Sequence, residues 1–311
     1  MHKITESGPA FCVCAGGMSI YILYSVNLLT SLISLGLAVL FFIFCGYILS
    51  KVNIDYRINK PIGALTGIYA VVSSAVSITL STSLIIESSV MNKKFYLLIL
   101  LLTGLFAVCF GMTKRDCTVY VSFIIGLAAA LVLLVLMFLC MLRTDFSLPK
   151  ITSPQPETLL LLTAFSVCDV ILVLPLHKGK PSMLFKIGGI THLYGVAMTF
   201  LAISVLTENV FSMSDMPWLT LWRSTFISSF LNSFEVMGVC AFFILNAIKA
   251  AIGIKAAVDI WGKKYTVFIM LSMFAAAGML WLFSGLILAA AAVSVISGVL
   301  LPVASLLSAK K

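Results

Sequence analysis

Apolar residues run along this chain in long blocks separated by short polar clusters. Residues 8–50 form a 43-residue stretch without Asp, Glu, Lys or Arg, and comparable apolar blocks recur almost to Lys311. A bilayer core of ~30 Å is crossed by about 20 helical residues at ~1.5 Å each, so residues 8–50 suffice for two spans and are too long for one. Dividing the pattern at charged residues and at Pro or Gly breaks predicts ten helices: 8–26, 29–50, 62–86, 95–112, 118–142, 157–176, 183–206, 227–256, 265–284 and 286–308. The division between the first two rests on Asn27 and its Ser and Thr neighbours. The first block lacks a small-residue cleavage region and runs straight into the next, which predicts a retained first helix.

Composition leads to the same class. The chain is 61% hydrophobic and 10% charged, with a mean hydropathy of +1.16, whereas soluble domains carry about 25% charged residues. Its net charge of +9 is not concentrated in any segment, so it reads as topogenic and no nucleic-acid partner is expected. With both termini cytoplasmic, 14 of the 20 basic residues fall on the cytoplasmic side, 5 fall outside and Lys249 lies within a span. That bias predicts cytoplasmic N- and C-termini.

Seven of the eight cysteines lie in apolar spans, with Cys117 at a boundary, and they read as small apolar residues. Cys12 and Cys14 lack a second ligand pair, so neither a metal site nor a cofactor is expected. HExxH, GxxxxGK[ST] and GxSxG are all absent, and the chain is not read as an enzyme.

Ten spans with a polar, proline-containing linker at 144–156 divide into two halves of five, about 8–143 and 157–308, within a single transmembrane domain. An odd number of spans per half makes any repeat antiparallel. Inverted-repeat transporters have this arrangement, with the first helix of each half broken near the midplane and its freed backbone groups binding substrate or ion. The breaks are expected in the first and sixth spans. In the first, Gly16-Gly17 permits either local unwinding or close packing against another helix. In the sixth, the core reads Phe165-Ser166-Val167-Cys168-Asp169.

Asp169 lies ~18 Å into the sixth span, near or beyond the midplane. An ionised Asp at mid-bilayer costs about 2.5–3.5 kcal/mol on insertion scales, which makes it a functional candidate; the alternative is a protonated Asp bonded to a neighbouring helix. The eighth span carries Asn232, Glu235, Asn246 and Lys249 on one stripe. Glu235 and Lys249 are ~21 Å apart along the axis, so each needs another partner or water. Lys249 either snorkels to the helix end or belongs to a gate or ion path, and Glu235 is either its path partner or a vestibule carboxylate. The third span supplies Tyr69, Ser73, Ser74, Ser77, Thr79, Ser81, Thr82 and Ser83, hydroxyls that either meet a ligand or bond their own helix and its neighbours. His192 in the seventh span reads as a packed, hydrogen-bonded histidine.

The sixth and eighth spans resemble the spore germination receptor B-subunit (GerAB) family of the amino acid/polyamine/organocation transporter superfamily. That family has a Phe followed four residues later by an acid, matched by Phe165 and Asp169, and a Glu followed fourteen residues later by a Lys, matched by Glu235 and Lys249. The chain departs from the family in having Asp where Glu is usual, a short connection between the first two spans, and Phe242-Phe243-Ile244-Leu245-Asn246 in place of an aromatic-glycine run.

The resemblance implies an all-α membrane protein with a LeuT-like 5+5 inverted repeat and broken helices 1 and 6. It also implies an amino-acid-sized pocket between helices 1, 3, 6 and 8, and assembly with germinant receptor A and C subunits in the inner spore membrane. Candidate ligand-binding residues are then Gly16, Gly17, Ser77, Phe165, Cys168 and Asp169, with Glu235 and Lys249 as gating or ion-path residues. The alternatives are a proton-coupled amino acid permease of the bacterial cell membrane and a degenerate scaffold subunit.

Overall fold

A long apolar run in lipid must satisfy its own backbone polar groups, which favours uninterrupted helices wherever nothing else can bond them. The computed structural model describes residues 7–24, 26–51, 60–88, 92–142, 153–176, 182–214, 216–224, 234–283 and 285–308. Among these, nine helices are long and apolar enough to cross a membrane, and the chain is an all-helical integral membrane protein. The first predicted span is shorter, Gly8–Leu23, and consists of α1 (Gly8–Gly17) and α2 (Ile20–Leu23). Then follow α3 (Leu28–Lys51), α4 (Lys60–Glu87), α5 (Tyr96–Gly111) and α6 (Arg115–Met141). The sixth predicted span changes form along its length, from α7 (Pro156–Leu162) to a π-helical turn (Thr163–Val167) and a 3₁₀ segment (Cys168–Leu176). The remainder is α8 (Ser182–Met213), α9 (Pro217–Ser224), α10 (Phe234–Trp261), α11 (Thr266–Leu282) and α12 (Gly285–Ser308).

Burial sorts these helices into centre and periphery. The spans of α4 and α10 are each 78% buried by protein, against 22% for α11 and 28% for α6, whose exposed Leu, Phe and Val side chains suit a lipid face. Small residues bring the central pair together. The Ser74 hydroxyl donates to the Ala250 carbonyl across the interface at 3.0 Å, and a methyl group at Gly253 would fall 2.3 Å from that hydroxyl oxygen.

The division at Asn27 is a true helix boundary. Its side-chain oxygen accepts the Thr30 N–H at 2.8 Å, capping α3 in the way short polar side chains satisfy a first turn. Its amide donates to the Ser153 carbonyl at 2.5 Å, and the Gln155 N–H donates to the Thr30 hydroxyl at 2.8 Å. The turn after the first span is thereby docked on the start of the sixth. The linker residues 143–152 and the polar-stripe residue Asn232 lie outside the described residues.

Three elements differ from expectation, the first being α10, which runs to Trp261 rather than ending near 256. α8 extends to Met213 rather than ending near 206. Between it and α10 lies the short helix α9, which begins at Pro217 and buries Trp218, Leu219, Leu221 and Trp222 while Arg223 is exposed. Eight residues are too few to register as a span, and α9 is seated by its aromatic side chains.

Candidate functional site

The backbone is irregular at residues 18–19, between α1 and α2, and at residues 163–176 of the sixth predicted span, and the two stretches touch. At the junction of α1 and α2 the i→i−4 ladder tightens to i→i−3 bonds. The Met18 N–H donates to the Ala15 carbonyl and the Ser19 N–H to the Gly16 carbonyl, each at 3.1 Å. The Cys14 carbonyl, whose α-helical partner would be the Met18 N–H, accepts the Ser166 hydroxyl from the π turn at 2.9 Å. A Cβ on Gly17 would lie 2.1 Å from the Phe165 carbonyl oxygen, and one on Gly16 would lie 3.1 Å from the Leu245 carbonyl oxygen of α10. The glycine pair thus serves both readings, ending α1 and letting two backbones approach closely.

The π turn also reorients the sixth span. At its end the Cys168 N–H reaches back to the Thr163 carbonyl, and the chain then continues as a 3₁₀ segment in which Pro175, lacking an N–H, cannot extend an α-helical ladder. Single-turn π insertions are frequent at functional sites.

Asp169 projects from this irregular stretch onto α4 and α10. Its carboxylate accepts the Tyr69 hydroxyl at 2.5 Å and the Ser73 hydroxyl at 2.7 Å, and it pairs with the Lys249 ammonium at 2.7 Å. Lys249 also donates to the Phe165 carbonyl, with Nζ 5.6 Å from the centre of the Phe165 ring. Both charged side chains are completely buried. Lys249 therefore does not snorkel: the Asp169 carboxylate and the Phe165 carbonyl hold it at the bundle centre. Two unit charges removed from water are tolerated only when most of their remaining hydrogen-bonding capacity is met, and here three groups meet it: the Tyr69 and Ser73 hydroxyls and the Phe165 carbonyl.

Other sequence candidates fall elsewhere. Ser77 donates to the Ser73 carbonyl of its own helix at 2.8 Å, a bond within α4 rather than a contact with Asp169. Cys168 is buried against α12, where a Cβ on Gly298 would lie 2.7 Å from its own Cβ. His192 is fully buried beside the Ser166 backbone, but neither ring nitrogen makes a hydrogen bond of normal geometry among the described residues.

Glu235 does not join Lys249. It takes an ion pair from Arg223 of α9, and Arg223 also donates to the Ser88 carbonyl just past α4 at 3.3 Å. The Arg223 and Glu235 side chains are 49% and 24% exposed, and exposed pairs contribute little. Glu235→Gln is expected to change thermal stability by less than about 1 kcal/mol, read from unfolding midpoints of the purified protein.

Tyr69 and Ser73 were named from the sequence only among the third-span hydroxyls and not as partners of Asp169, and Arg223 was not singled out. The signal for the first two was present, since a Tyr and a Ser four residues apart share a helix face opposite an intramembrane acid. Arg223 carried no such signal, because its partner is set by the folding of α9.

No protein-family model matches this chain, and no curated protein matches it as a relative.

Proposed function

We propose that the protein is the amino-acid-binding membrane subunit of a spore germinant receptor, signalling through a transporter-like conformational change. The observation that carries this reading is the buried Asp169–Lys249 pair, which joins α4, the broken sixth span and α10 at one point. It involves the same Phe165, Asp169 and Lys249 on which the resemblance to the germination B-subunit family rests. The LeuT-like 5+5 repeat belongs to this proposal. It is supported by breaks in the first and sixth spans and by matching 3₁₀ turns, Lys93–Phe95 and Lys263–Tyr265, that lead into the fourth and ninth.

A zwitterionic amino acid is complementary to the pair, its carboxylate to Lys249 and its ammonium to Asp169. Binding then competes with the internal ion pair and loosens the grip of Lys249 on the Phe165 carbonyl. That biases the equilibrium between two arrangements of the broken helices by the ligand's difference in affinity for them. A and C subunits in the inner spore membrane would read the bias, with both termini of this chain cytoplasmic as the distribution of basic residues suggests.

The test is equilibrium binding of the twenty standard L-amino acids to the detergent-purified protein. Saturable binding is expected, weakened about 100-fold or more in Asp169→Asn and in Lys249→Met, as charge-assisted contacts predict. Net flux of the bound amino acid into proteoliposomes containing this chain alone would favour the proton-coupled permease. No binding by folded, monodisperse protein would overturn the reading and leave the scaffold subunit.

A further inference from the structure

Along α10, Phe242, Asn246 and Lys249 occupy successive turns, ~6 Å and ~4.5 Å apart in rise. Lys249 is the floor of this column, tied to Asp169 and the Phe165 carbonyl. Phe242 belongs to an aromatic roof: it lies 6.2 Å from Trp218 and is stacked at 6.3 Å on Trp222, and Trp218 is stacked at 5.1 Å on Tyr21. The first span runs past the same column. Gly16 abuts the α10 backbone, where a Cβ would lie 3.3 Å from the Asn246 backbone nitrogen. Ser19 follows at the break, two residues before Tyr21 of the roof.

On these two elements, at Asn246 of α10 and at Ser19 of the first span, are two oxygens whose bonding capacity is unmet. The Asn246 amide donates to the Phe242 carbonyl at 3.1 Å, which fixes the amide's orientation and leaves Oδ1 as an acceptor. That Oδ1 and the Ser19 hydroxyl are fully buried and have no hydrogen-bond partner among the described residues. A buried acceptor without a donor is costly, and native structures rarely leave one so. The floor, by contrast, is nearly saturated, since Asp169 already receives three donors. Of the three N–H bonds on the Lys249 ammonium, two are used.

We propose that Asn246 Oδ1 and Ser19 Oγ complete the ammonium subsite of the bound amino acid, beneath the aromatic roof, adding two neutral acceptors to the Asp169 carboxylate, with the ligand carboxylate directed to the remaining N–H of Lys249. This rests on the amino-acid-binding reading above and assigns to the ligand amine residues that the resemblance does not supply. Asn246 falls where the chain departs from the family's aromatic-glycine run. The ligand class is a primary-amine zwitterion small enough to fit between the ion pair and the Trp218–Phe242 contact.

The experiment measures binding of the twenty standard L-amino acids, and of the α-deaminated acid of each one that binds, to wild type, Asn246→Leu and Ser19→Ala. Leu matches Asn in size and Ala is the smallest change at Ser19, so both variants retain packing, and a melting curve confirms that each is folded. The expected result is a loss of affinity of about 10-fold or more for the amino acid in each variant, the scale of a hydrogen bond to a charged group. Affinity for the deaminated acid should change less than about 2-fold on the same scale. Equal losses for both ligands, or none for either, would overturn the subsite while leaving amino acid binding intact; no loss would mean that the two oxygens serve an internal water only. Failure of wild type to bind any amino acid would overturn the subsite and the proposed function together.

Discussion

Lys249→Met is expected to destabilise the folded protein by about 3–5 kcal/mol, because it strips the counter-charge from a carboxylate that is completely buried. The Tyr69 and Ser73 hydroxyls that remain on Asp169 offer hydrogen bonds but no positive charge. Asp169→Asn should cost a similar amount, since it leaves the ammonium with a neutral amide and one backbone carbonyl. The double variant Asp169→Asn/Lys249→Met should recover most of either loss, because no isolated charge is then buried. Unfolding midpoints of the four proteins in one detergent measure this coupling. Additive single losses would show that the two side chains do not interact as the structure places them.

Gly17→Ala is expected to be as damaging, by a different cause. The new methyl carbon would lie 2.1 Å from the Phe165 carbonyl oxygen and 2.7 Å from Ser166 Cα. These are backbone atoms of the π turn and cannot rotate away, so the two breaks must separate. Overpacking of this kind costs about 3 kcal/mol or more. Separation would also strain the bond from Ser166 to the Cys14 carbonyl. Gly16→Ala meets its nearest atom at 3.1 Å and should cost about 1 kcal/mol or less, within the range of ordinary substitutions. Gly278→Ala, with nothing within 4 Å, should be neutral and serves as the control. The yield of monodisperse protein and the unfolding midpoint are the readouts, and a Gly17→Ala protein as stable as wild type would refute the close approach.

The sequence by itself determined that the chain spans a membrane and where most of the long helices lie. These depend on local physics. Apolar runs of bilayer length must close their own backbone bonds, and Asn27 can cap only the helix that follows it; a glycine pair does not by itself place a break, since Gly16 and Gly17 end α1 whereas Gly188 and Gly189 lie within the uninterrupted α8. The sequence also marked Asp169 and Lys249 as the charges most expensive to leave alone, and showed that Lys249 and Glu235 cannot reach each other along one helix.

Only the tertiary structure decided the partners. Lys249 stands 80 positions beyond Asp169, and Tyr69 and Ser73 precede it by 100 and 96, so no periodicity within one helix could pair them. Snorkelling and ion pairing offer Lys249 comparable relief when the helix is considered alone. The choice between them depends on whether a carboxylate and a free carbonyl wait at the same depth. The same holds for Ser77 and Cys168, whose spacing suits a pocket but whose rotation about the helix axis in the packed bundle aims one at its own backbone and the other at α12. It holds most clearly for Arg223, whose pairing with Glu235 exists only because four buried side chains of α9 seat that short helix over the end of α10.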